Sequence, residues 1–148
     1  MNKKYVAIVV FLILLMCCGG CSQNNGREAD SVDTSMLATG QNEVLSPSGK
    51  YLLTMRESEQ ANVKGFYIDV ESVQEKTNVF ISQDFFRFRD INYLLWGEND
   101  SIWLYSGDSG TFYWLKTADS WEKKIYTENK GNVEVPDILK QLKPSYYE

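Results

Sequence analysis

The sequence predicts a mostly β domain, a small antiparallel sandwich or an open blade-like meander, with a short C-terminal helix. Three observations predict it. Residues 42–132 are dense in β-branched and aromatic side chains and are broken at short intervals by Gly, Asn, Asp and Ser, as short strands joined by tight turns require. The stretch 101–115 reads as two aromatic strands around Gly107-Asp108-Ser109-Gly110. Near the end, a helical pattern lies between Pro136 and Pro144.

The N-terminus is an address rather than part of the fold. Lys3 and Lys4 precede an uninterrupted apolar run from Tyr5 to Cys18, the n-region and h-region of an export signal. At 14 residues the run is shorter than the roughly 20 that a membrane-spanning helix needs. Gly19, Gly20 and Cys21 follow, then a polar stretch. This segment resembles the lipobox of bacterial lipoproteins, in which a cysteine after a small residue is diacylated before the leader is cleaved. The resemblance covers residues 1 to about 25 and implies a signal peptide over 1–20, lipid such as palmitate on Cys21, and a place on the outer face of the cell membrane. The sequence departs from the pattern at Cys18, where an aliphatic residue is usual. Cys17 and Cys18 are rival acceptors, but each follows a larger residue, which favours Cys21.

Residues 21–41 are polar, with few apolar positions, and are expected to be a disordered tether behind the lipid. At a coil scaling of about 5–6 Å times the square root of length, it would hold the domain roughly 25 Å from the bilayer. One domain is then expected over 42–148, with strands at 43–45, 51–57, 65–71, 77–81, 91–96, 101–106, 111–117 and 121–127. The hairpin at 101–115, with its turn centred between Asp108 and Ser109, sets Trp103 opposite Trp114, Leu104 opposite Tyr113 and Tyr105 opposite Phe112. Both of its faces are apolar, so it should be central. The helix is expected at about 136–143, with Ile138, Leu139 and Leu142 as its apolar stripe, covering one edge or end of the sheet.

Leu45-Ser-Pro-Ser-Gly-Lys-Tyr-Leu-Leu53 resembles the Ser-Pro-Asp-Gly-Lys turn of β-propeller blades, with Ser48 in place of the aspartate. Trp96-Gly-Glu-Asn-Asp-Ser-Ile-Trp103 is similar to the turn of a second blade. A blade takes about 40–50 residues, so two fit at most, and a complete propeller would require chains to assemble.

Composition removes much chemistry. The three cysteines all lie at or before Cys21 and the chain has no histidine, so the domain has no disulfide and no Cys/His zinc site. Without Lys3 and Lys4, 13 basic residues face 20 acidic ones; nucleic acid and anionic lipid surfaces are disfavoured partners. Gly107-Asp108-Ser109-Gly110 copies the nucleophile segment of trypsin-like proteases, but a serine nucleophile needs a base. A turn explains it better. Acids at Asp69, Glu71, Asp84, Asp90, Glu98, Asp100 and Asp108 read as strand-end and turn residues, and Glu98-Asn99-Asp100 does not fit an EF-hand calcium loop.

No enzyme, metal or cofactor is expected. The leading expectation is a lipid-anchored envelope protein with a non-catalytic interaction domain that binds an envelope protein. An alternative is a carbohydrate-binding module with an aromatic platform of Trp103, Tyr105 and Trp114. An immunity-type protein fits the size and acidity as well.

Overall fold

A computed structural model describes residues 32–148. The apolar run, Cys21 and the first part of the expected tether lie outside the described residues. Among the described residues nine strands form two antiparallel sheets. In the first, β1 (Val44–Leu45), β2 (Tyr51–Gln60), β3 (Val63–Ser72) and β4 (Asn78–Ile81) follow one another, and β5 (Phe86–Arg87) pairs with the far end of β3. The second is a meander of β6 (Asn92–Trp96), β7 (Ile102–Ser106), β8 (Gly110–Lys116) and β9 (Trp121–Ile125). Three short helices end the chain: α1 (Tyr126–Asn129), α2 (Asp137–Leu142) and α3 (Pro144–Tyr147).

Alternation decides which side chains meet between the sheets. From the first come Leu53, Met55, Phe66, Ile68, Val70 and Phe86; from the second come Leu94, Trp96, Ile102, Leu104, Trp114 and Trp121. They form one core, and burying each such side chain contributes on the order of 1.5–3 kcal/mol. The opposite face of the second sheet carries its own core, in which Leu95, Trp103 and Tyr113 pack against Tyr126, Val135 and Leu139. Strand β7 is thus covered on both sides, Ile102 and Leu104 towards one core and Trp103 towards the other, which is why it reads as an unbroken apolar run. The C-terminal helices cover the outer face of the second sheet, so no further blade can stack there.

Turn chemistry sets the hairpins. Ala61 and Asn62 (φ 47° and 64°) join β2 to β3, and Asn99 and Asp100 (φ 54° and 56°) lie between β6 and β7. Two successive left-handed residues match the twist of a tight hairpin. The β7–β8 connection differs from the two-residue expectation. Three residues, Gly107 to Ser109, separate the pair Ser106↔Gly110, and Gly110 takes φ +89°, which glycine adopts without steric cost. The register is therefore Trp103↔Tyr113, Ile102↔Trp114 and Tyr105↔Thr111, one residue from the expected pairing. A slip of one residue exchanges the faces.

Residues 32–41, expected as part of the tether, belong to the folded unit. The Ala38 N–H donates to Leu94 O of β6 at 2.7 Å, while Thr39 O accepts from the Thr54 hydroxyl and the Met55 N–H of β2 at 2.8 and 3.3 Å. Asn42 holds the segment in place through Nδ2, which donates to Ser35 O and Leu37 O at 3.1 and 2.8 Å. This strap bridges the two sheets along their β2/β6 side. Few apolar side chains are involved, since backbone groups make most of the links.

The C-terminal helix runs from Asp137 to Leu142, within the expected bounds, and Leu139 is fully buried. Pro144 does not end helical structure but opens α3, at a first-turn position where its missing N–H is not needed.

Candidate interaction surfaces

Three regions bear on function: the aromatic residues of the second sheet, the open side of the sandwich, and the end where the strand turns gather. The aromatic platform expected from Trp103, Tyr105 and Trp114 is not assembled. Trp103 and Trp114 are each 2% exposed and belong to different cores. Trp103 stacks on Tyr113 with ring centroids 4.9 Å apart, whereas Trp114 meets Phe86 and Phe112 between the sheets. Tyr105 shares the Trp103 side, but Tyr146 of α3 packs edge-on against it at 5.4 Å and the Lys143 ammonium lies 5.1 Å from its ring. The physical reason is the one-residue register difference, which places Trp103 and Trp114 on opposite faces.

On the side away from the strap, β4 and β9 are the free edges, with a cleft of about 500 Å³ between them. Phe80 and Trp121 form part of its wall, 5.6 Å apart, and the Lys123 ammonium meets Asp84 at 2.8 Å across it. Lys123 also lies 4.1 Å above the Phe112 ring, an arrangement that covers apolar surface with a charged side chain. Lysines at 123 and 124 guard the β9 edge against strand addition. The Lys123–Asp84 pair thus spans the cleft and ties β9 to the segment that follows β4.

The turn end is organised by Asp100, which is 9% exposed. Its Oδ1 accepts from the Ser48 N–H at 3.0 Å, and its carbonyl accepts from Trp121 Nε1 at 2.7 Å. Trp96 Nε1 donates to Val44 O at 2.8 Å. These bonds join the Ser46–Gly49 turn of the first sheet to the Glu98–Ser101 turn of the second, the two segments that resemble blade turns. Beside them lies a groove of about 300 Å³, with Trp96 and Val135 at its base, Met36, Pro47 and Pro136 on its sides, and Glu98, Glu134 and Asp137 along its rim.

The other acids expected at turns and strand ends mostly have partners. Asp84 pairs with Lys123, Asp90 and Asp108 with Arg87, and Asp69 accepts from the Asn78 amide. Asp108 thus anchors the Gly107–Gly110 turn to β5. Among the described residues no three acids are placed to hold a metal ion.

Sequence reasoning missed Asp100 as a buried joint and missed Met36 and Glu134 as groove residues. The signal for Met36 was present, since Met36-Leu37-Ala38 is an apolar triplet inside the polar stretch. Glu134 carries no local signal, because its place depends on how the chain returns from α1 to α2. No protein-family model, no curated protein and no solved structure matches this chain.

Proposed function

We propose that the chain is a lipid-anchored protein of the extracytoplasmic membrane face, whose β sandwich is a non-catalytic interaction module. The observation that carries the reading is the order of segments: a charged start, an apolar run of 14 residues, Gly19-Gly20-Cys21, and a folded unit that begins at Val32. Ten residues separate Cys21 from Val32. Fully extended they reach at most about 35 Å, so a lipid on Cys21 keeps the sandwich within a few nanometres of the bilayer. The lack of histidine in the chain and of thiols after Cys21 leaves no common nucleophile–base pair in the sandwich, which supports binding of a neighbouring envelope protein over catalysis.

Replacing Cys21 with Ser tests the anchor. The expected result is loss of incorporated fatty acid and transfer of the protein from the membrane to the soluble fraction. Unchanged membrane retention and labelling would remove the lipid from the proposal. The carbohydrate reading loses its specific support, because the three aromatic residues that motivated it do not form a common exposed face.

A further inference from the structure

The groove at the turn end has three properties that act together. Its sides are apolar, and Met36, 52% exposed, leaves a flexible thioether side chain in solvent where an adaptable contact would be made. Its rim is acidic: Glu98 and Glu134 are exposed and have no ion-pair or hydrogen-bond partner among the described residues, while Asp137 is paired with Lys140 at 2.9 Å. Among the described residues no lysine or arginine lines it. Two unpaired carboxylates above an apolar floor attract a cation that also brings apolar surface, and the Trp96 ring at the base adds an electron-rich wall.

From this charge complementarity we infer that the groove binds a short cationic peptide segment of a partner protein, with one apolar side chain between Met36 and Pro136 and flanking lysine or arginine on Glu98 and Glu134. The inference rests on the reading of the sandwich as an interaction module. Its chemistry excludes an anionic lipid surface as the occupant, since the rim would repel it. The Asp100 bonds hold the turn that carries Glu98, so that carboxylate is presented from a fixed frame and needs little ordering on binding.

The test uses the full-length chain in detergent and calorimetric titration with a capped Lys-Lys-Leu-Lys-Lys peptide. The wild-type chain is expected to bind it, and the double variant Glu98→Gln, Glu134→Gln to bind about tenfold more weakly, as loss of two exposed ion pairs implies. Glu75→Gln with Glu128→Gln, exposed acids elsewhere on the surface, is expected to leave binding unchanged. A peptide with glycine in place of leucine should also bind more weakly. Unaltered near-ultraviolet circular dichroism in each variant shows that the fold persists. No binding to the wild-type chain, equal binding by both double variants, or equal binding of the leucine and glycine peptides would overturn the inference. So would concentration-dependent dimerisation that Glu98→Gln abolishes, which would make a second copy the occupant. Membrane release by Cys21→Ser is read in a separate fraction, so the anchor and the groove fail independently.

Discussion

Asp100 shows how much one side chain can hold. It sits at a left-handed φ of 56° in the β6–β7 turn and is nearly buried, yet it binds the neighbouring turn through Ser48. Truncation leaves the Ser48 N–H without its acceptor, whereas Asn keeps an oxygen in place and tolerates the backbone angle. Asp100→Ala should therefore lower stability to urea by about 1–3 kcal/mol, and Asp100→Asn should have a much smaller effect. The turn was legible in the sequence; the bond to Ser48 was not, because the partners are 52 residues apart. The same scale explains the register. Gly107 and Gly110 both permit unusual backbone angles, so the segment alone is compatible with a loop of two residues or of three. Only packing on both faces of β7 selects between them.

At the scale of elements, eight strands follow from the alternation of apolar and polar residues and from turn residues between them, and all eight are present, with ends that coincide or shift by up to three residues. Strand β5 is the exception. Its two residues lie in Phe85-Phe-Arg-Phe88, too short a stretch to show a period, and β5 is defined by its pairing with Gly65 and Phe66. Helix α3 was hidden by Pro144, which reads equally as a stop or as a first-turn residue. That helix makes a pH-dependent contact. Tyr147 donates or accepts a hydrogen bond with the Thr111 hydroxyl at 2.7 Å. Burial pushes its phenol pKa well above the usual 10.0, although the Thr111 bond acts in the opposite direction. A raised folded pKa means that this contribution to stability is complete below about pH 10 and is lost as pH rises further. Alkaline titration followed by tyrosinate absorbance should show a late phenol that ionises as α3 leaves the sheet. Tyr147→Phe should remove that late step.

For the whole molecule, the two sheets share one core, so they should unfold together. Ile68 is fully buried in the first sheet and belongs to the core that includes Leu94 and Leu104 of the second. Ile68→Ala is expected to cost about 2–5 kcal/mol and to accelerate amide hydrogen exchange in β7 as much as in β3. Faster exchange confined to the first sheet would show that the sheets are separate folding units. The mostly β sandwich was legible in composition and turn spacing, but its N-terminal boundary was not. In the strap at 37–42 only Leu37 and Ala38 are apolar, and the rest gains its place through hydrogen bonds, which leave no mark in hydropathy.

That strap also determines how the molecule responds to force. If the proposed lipid on Cys21 anchors the chain, tension between a bound partner and the bilayer would enter the folded unit at Val32. It would reach the bonds of Ala38 to Leu94 and of Thr39 to β2 before loading the sandwich core. These few bonds would be expected to yield first, freeing the residues of the strap while both sheets remain paired. Under the proposed anchor the strap would act as a mechanical fuse, placed where a pull on the module would arrive.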